Sequence, residues 1–164
     1  ESVARVWWLH SSCGEHLMAH ARTQVRNAVV SVLEAAAVAD TVSKSRVYPI
    51  PANTVSMALV YTNAESVPQT TLTYPRKFER ELNLVIECVA RDSDYLDDRL
   101  DRLCEAVENA IGADNTLGGV VKDCVLSDTQ MTLDFNGDAP IGSARMQFRV
   151  SYRTAETDAG TIIS

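Results

Sequence analysis

The sequence has few of the residues that carry catalytic and ligand-binding chemistry. Its 164 residues include three histidines, all within the first 20 positions, and four cysteines without a C-x-x-C pair. No serine or cysteine stands in a nucleophile elbow, and the glycine pair at residues 118–119 lacks the lysine and the spacing of a phosphate-binding loop. The sequence therefore predicts no catalytic residue and no cofactor.

Basic charge is also scarce. Lys and Arg number 15 against 22 Asp and Glu, which gives a formal net charge of −7. Tight binding to a phosphate backbone needs clustered cations, so the composition argues against a nucleic-acid-binding protein. No uncharged apolar run is long enough to span a bilayer, and no membrane partner is predicted. Cys88 and Cys104 fall on apolar faces, which is typical of buried, reduced thiols in an intracellular protein.

What is present is the pattern of one α+β domain. A hydrophobic content of 46% is enough for one ordinary core. Apolar stripes of helical period predict one helix over residues 19–38 and a second from Leu96 to Ile111, ended by Gly112. The predicted fold is α+β in the order α-β-β-β-α-β-β, with a largely antiparallel sheet and both helices packed on one face.

Alternating apolar residues predict the strands. A short extended piece at residues 46–49 precedes a strand ending at Tyr61, and a long, half-exposed strand covers residues 78–91. Two alternating runs around Asn136-Gly137 predict a closing hairpin, in which every second residue from Val125 to Phe135 forms one row. Between the second and third strands, the polar segment 62–77 contains two prolines and predicts a long hairpin loop or flexible arm.

The pattern divides the chain into three parts. Residues 1–17 have no defensible periodicity and are interpreted as an N-terminal extension upstream of a natural start at Met18. Residues 18–154 form the single domain. Residues 155–164 are interpreted as a polar C-terminal tail.

Three clusters resemble metal sites, but each is better explained without a metal. The acidic run from Asp92 has Asp97 where a calcium loop requires glycine, and Leu103 where it requires a bidentate Glu. The group at residues 134–138 is better explained as a hairpin turn. A third cluster has the spacing H-x2-C-x2-H-x3-H but lacks a second cysteine for a zinc site. Its members are His10, Cys13, His16 and His20.

Charged side chains form a row along each of the two longest predicted strands. The outward face of the long strand carries Glu79, Glu81 and Glu87. The outward face of the last strand carries Arg145, Arg149 and Arg153. If these strands are neighbours, the charges form cross-strand pairs. If they are not, they form complementary patches, and repeated heterologous contacts between such patches can close into a ring. A merely solvated sheet face is the simpler alternative.

Several segments, taken in order, resemble one known family. They are Arg22 to Leu33, Arg46 to Pro49, Met57 to Tyr61, Arg80 to Arg91, Leu96 to Leu100 and Pro140 to Tyr152. Over roughly residues 19–154 the chain resembles the tail terminator (minor tail, tail-completion) proteins of long-tailed phages and phage-like particles. The resemblance is one of pattern and element order.

The resemblance implies a structural virion protein at the neck end of the tail, assembled in the host cytoplasm. Such a protein forms a homohexameric ring that caps the tail tube, ends polymerisation of the tube protein and joins the head-side connector. DNA passes through its lumen without specific binding. The residues predicted to contact a neighbouring subunit or the tube are Tyr74, Arg76, Lys77, Glu79, Glu81, Arg145, Arg149 and Arg153. The alternative is a free-standing α+β ligand-binding or regulatory domain, monomeric or dimeric.

Overall fold

A computed structural model of the chain describes residues 19–46, 53, 55–134 and 140–163. The predicted extension at residues 1–17, most of the extended piece at residues 46–49 and the Asn136-Gly137 turn lie outside them. In chain order the elements are α1 (Ala21–Ala35), β1 (Thr41–Ser43), β2 (Ser56–Thr70), β3 (Lys77–Arg91), α2 (Leu96–Ala113), β4 (Asp123–Asp134), β5 (Ile141–Ala155) and β6 (Asp158–Ile163).

The strands form one sheet in the order β1-β2-β3-β5-β4, with β6 paired to β5. Only the short β1–β2 pair is parallel, so the predicted α+β fold with a largely antiparallel sheet is confirmed. The first strand is Thr41–Ser43, which the sequence pattern did not predict. A further strand, β6, occupies most of the predicted polar tail, because Ile162 packs against the core beside Thr154 of β5.

Both helices cover the same face of the sheet, here called the helix face. The stripe Val25, Val29 and Leu33 of α1 is fully buried there, and α2 contributes Leu100 and Val107 to the same core. The strands supply alternate residues to this core: Leu82, Leu84, Ile86 and Cys88 from β3, and Ala144, Met146, Phe148, Val150 and Tyr152 from β5. The burial of this last row confirms the predicted inward face of the final strand.

The opposite face of the sheet, here called the far face, has two unlike halves. A second buried cluster consists of Met57, Leu59, Tyr61, Val85 and Val89, packed beside Ile141. The predicted half-exposure of the long strand is therefore wrong for this half of β3, where both faces are largely buried and Glu87 is the one charged residue between Val85 and Val89. Polar and charged side chains occupy the other half of the far face.

The β2–β3 hairpin is longer than predicted. The prediction of a long loop or flexible arm over residues 62–77 is wrong, because β2 continues to Thr70 and β3 begins at Lys77. Irregularities of register between Thr62 and Ala64, and between Ser66 and Gln69, accommodate the polar residues and Pro68 within the strand. Pairing with β3 satisfies the backbone of this segment despite its polar composition.

The strand β4 shows a phase shift that the sequence pattern missed. Its pairing with β5 shifts between Leu126 and Asp128, which indicates a bulge at Ser127. Before the bulge Leu126 lies opposite Phe148 on the helix face, and after it Met131 lies opposite Ala144 on the same face. The predicted single row from Val125 to Phe135 is therefore wrong, since Val125 lies opposite Arg149 on the far face.

Candidate subunit interface

The predicted acidic and basic rows are direct neighbours on the far face. The β3–β5 register places Glu79 opposite Arg153 and Glu87 opposite Arg145. Glu79 accepts hydrogen bonds from Arg153 Nε at 2.7 Å and from Lys122 Nζ at 2.9 Å. The Lys122 bond, then the Arg153 bond, holds the pKa of Glu79 below its ordinary value. Of the arrangements left open by the sequence, cross-strand pairing holds for Glu79 and Arg153.

The second cross-strand pair lies at the edge of the buried apolar half. Tyr61 donates its hydroxyl proton to Glu87 Oε2 over 2.9 Å, and burial, together with this bond, raises the pKa of Tyr61. The guanidinium of Arg46 lies 4.3 Å from the Tyr61 ring centroid, and that of Arg145 lies 6.0 Å away. Arg145 is thus half-buried over an aromatic ring and is not part of an open patch.

Glu81 and Arg149 are the exposed members of the two rows. No ion pair joins either of them to another residue in the part of the chain that the structure describes. They line a cleft of about 280 Å³ together with Ser66, Asn83 and Ser127. Asn83 donates to Gln147 Oε1 at 3.1 Å, while its own Oδ1 is buried without a partner among the described residues.

The remaining predicted contact residues, Tyr74, Arg76 and Lys77, meet at the end of the β2–β3 hairpin. This hairpin tip, residues 71–77, exposes 99% of Leu72 and 80% of Tyr74. It is braced from within, because Lys77 donates its N–H to Thr71 Oγ1 at 2.8 Å. It is also braced from outside, since Glu156 N donates to Arg76 O at 2.9 Å, and the two side chains form an ion pair at 3.8 Å.

A buried polar network holds the base of the same hairpin. On the helix face, Arg80 donates to Glu65 Oε2 at 2.9 Å and to Thr154 Oγ1 at 2.8 Å. Tyr152 donates its hydroxyl proton to the other oxygen of Glu65, and burial raises the pKa of Tyr152. Arg80 and Glu65 are only 13% and 11% exposed. Sequence reasoning missed this network, although a charged Arg80 among the inward positions of an apolar strand was a signal for it.

An apolar cleft lies beside the end of β5, between the α2–β4 loop and β6. Its volume is about 210 Å³, and its apolar walls are Val120, Val121, Ile162 and Ile163. Leu117, Gly118 and Gly119 adopt positive φ angles in this loop, and the Asp114 carboxylate accepts hydrogen bonds from the Thr116 and Gly118 amides. Sequence reasoning missed the cleft because it described β6 as a tail.

Two of the residues weighed as metal ligands, His20 and Asp92, make other contacts in the structure. His20 precedes α1 and accepts a hydrogen bond from Arg22 N at 3.2 Å. Asp92 accepts from the Asp94 and Tyr95 amides and pairs with Arg99 at 3.2 Å. These contacts lower the pKa of Asp92, the Asp94 amide most. Within residues 19–46, 55–134 and 140–163, no three His, Cys, Asp or Glu side chains gather closely enough to hold a metal ion.

Among the residues that the structure describes, no helix could cross a membrane. Neither α1 nor α2 combines the length and the apolar character that a bilayer crossing needs.

Comparison with known proteins gives little further information. No protein family and no curated protein matches the chain. Among solved structures, the chain is similar to a chain from the virion of a native gene transfer agent particle, with 13% sequence identity and a TM-score of 0.33. The match covers 82% of this chain and 94% of that chain. A TM-score of this size does not establish a common fold, so this likeness carries no structural or functional argument.

Proposed function

We propose that the protein is a structural component of a tailed, phage-like virion and acts as its tail terminator. Copies of the chain form a homohexameric ring at the neck end of the tail. The ring caps the tail tube, ends polymerisation of the tube protein and provides the joint to the head-side connector. It is assembled in the host cytoplasm and performs no chemical reaction.

The observation that carries this proposal is the hairpin tip. Tyr74 and Arg76 belong to the residue types that are enriched in protein-binding hot spots, and the exposed Leu72 adds apolar surface beside them. The contacts of Glu156 with Arg76 fix the backbone of the loop at this point before a partner arrives. Contacts of this kind suit a protein that works by assembling.

Two further features agree with the proposal. The element order from α1 to β5 is that of the segments which resemble tail terminators, and the long hairpin projects from the segment between Met57 and Arg91. The net charge of −7 also suits a ring through which DNA passes, because an acidic lumen repels phosphates and keeps the DNA from adhering.

Electron microscopy of particles made without this gene tests the function directly. Without a terminator, nothing stops polymerisation of the tube protein, so tubes of uncontrolled length without heads are expected. Expression of the wild-type chain in trans should restore uniform tails. Normal particles with tails of normal length in the deletion strain would contradict the proposal.

One observation favours the second candidate, a free-standing ligand-binding domain. The far-face cleft offers an unpartnered Asn83 Oδ1 and the exposed side chains of Glu81 and Arg149. At about 280 Å³, however, the cleft lies just below the range for ligand sites, which begins at about 300 Å³. A ligand-binding domain of this kind would remain one or two chains in solution under all conditions.

A further inference from the structure

The hairpin tip and the apolar cleft lie at the same end of the sheet. The residues Thr70, Phe78, Thr154 and Ile162 form one register row across β2, β3, β5 and β6. The tip extends beyond Thr70 and Phe78 in the direction of these strands. The cleft lies beside the β6 end of the row, where Ile162 and Ile163 form one of its walls. Three strand spacings of ~4.8 Å, about 14 Å in all, separate Thr70 from Ile162.

This placement allows one copy to meet the next side by side. A rotation about an axis parallel to the strands keeps this end of the sheet at the same height in every copy. The tip of one copy therefore lies beside the end of its neighbour's sheet that carries the cleft, and repetition of the same heterologous contact closes a ring when the rotation permits it. The tip does not fill the cleft of its own chain, since Leu72 is 99% exposed.

The two surfaces also match in chemistry. The cleft has a volume of about 210 Å³ and walls that are mainly apolar, as are the two large side chains exposed at the tip. The tip carries the cations Arg76 and Lys77, of which Arg76 is already paired with Glu156, while the segments next to the cleft walls carry the exposed carboxylates of Asp114 and Asp158. The two cations at the cleft itself, Lys122 and Arg153, are already paired with Glu79.

We propose that the apolar cleft receives the hairpin tip of a second copy of this chain, with Leu72 and Tyr74 inserted against Val120 and Ile162. This contact specifies how neighbouring subunits meet in the ring, so it rests on the proposed function. Burial of two large apolar side chains supplies the affinity, and the attraction of Lys77 to the carboxylates fixes the orientation.

Two complementary variants test the contact. The tip variant is Leu72→Ser with Tyr74→Ser, and the cleft variant is Val120→Asp, with Ile163→Lys as the replacement if Val120→Asp does not fold. The matched control is Val67→Ser, which removes an apolar side chain that is 43% exposed on the same hairpin but outside the tip. Circular dichroism and thermal midpoints equal to those of the wild type establish that the tip variant is folded.

Sedimentation velocity at high protein concentration gives the readout, with tube protein added to every sample if the wild type alone is monomeric. The wild type and Val67→Ser should assemble, whereas the tip and cleft variants alone should remain monomers, with self-association weakened about tenfold or more. A mixture of the two variants retains one intact contact per pair, because the intact cleft of the tip variant can receive the intact tip of the cleft variant. The mixture should therefore form dimers that grow no further.

The results separate this contact from the function on which it rests. Assembly of either variant alone to the same extent as the wild type would overturn the contact and leave the ring in place. Folded monomeric variants that give no dimer on mixing would also overturn it, because the two surfaces would then not be partners. A wild-type chain that remains monomeric both alone and with tube protein would overturn the ring itself and the contact with it.

Discussion

The base and the tip of the β2–β3 hairpin reverse the usual distribution of side chains. At the base, the charges of Glu65 and Arg80 are buried against Tyr152. At the tip, the large apolar side chains of Leu72 and Tyr74 are exposed. Buried charges cost desolvation energy but fix the geometry of the strands, and exposed apolar groups cost solubility unless they meet a partner. The base therefore serves stability and orientation, and the tip serves binding.

The largest effect on stability is expected at the base. Arg80→Ala leaves the carboxylate of Glu65 buried without its cation, so the free energy of unfolding should fall by about 3–5 kcal/mol. Urea denaturation measures this change. Replacement of both partners by apolar residues, Arg80→Met with Glu65→Leu, should cost less, because no charge is left unpaired and the remaining loss is that of the hydrogen bonds to the Tyr152 and Thr154 hydroxyls. A loss for Arg80→Ala no greater than that for the exposed Arg149→Ala would show that the network does not hold the base.

A smaller effect is expected where Glu79 joins Lys122 and Arg153 on the far face. Glu79→Gln should lower the free energy of unfolding by roughly 1 kcal/mol at neutral pH, because these ion pairs are partly exposed. The pKa of Glu79 is lowered in the folded state. Its contribution is therefore complete above the unfolded-state pKa and is lost as the pH falls through the lower folded-state pKa.

Denaturation of wild type and Glu79→Gln at several pH values checks this prediction. The difference between them should be constant at neutral pH and disappear in acid below the ordinary pKa of a glutamate, about 4.3. A difference that grows on acidification would have the wrong sign and would contradict the assigned pairing.

The smallest effect on stability is expected at the tip. Leu72→Ser with Tyr74→Ser should change the free energy of unfolding by no more than about 0.5 kcal/mol, because these side chains are exposed in the isolated chain. The same urea titration used for Arg80→Ala gives the direct comparison. A loss comparable to that at the base would mean that the tip packs against its own chain, and the contrast between the two regions would disappear.

Much of the fold was predictable because burial imposes clear periods on the sequence. The stripe from Val25 to Leu33 and the row from Ala144 to Tyr152 are read correctly, since each buries one continuous face. The second half of β2 was not predictable from its polar composition, because its strand character comes from pairing with β3. The bulge at Ser127 reversed the faces of β4, and a single residue of this kind leaves no sign in the pattern.

The candidate site was predictable only in part. The charge alternation correctly placed Glu79, Arg149 and Arg153 on one face, because side chains two residues apart in a strand share a face. It did not reveal that Arg153 would be paired within its own chain, since that depends on which strands are neighbours. The Glu65 to Arg80 network and the apolar cleft depend on contacts between distant segments, and no local pattern contains such information.

The mass of the assembled protein tests the central claim most directly. Sedimentation velocity or native mass spectrometry of the wild-type chain, with and without the tube protein of its particle, measures it. The account predicts a closed ring with a mass near that of six chains, at least when tube protein is present. A mass of one or two chains under every condition would contradict the account and favour a free-standing ligand-binding domain.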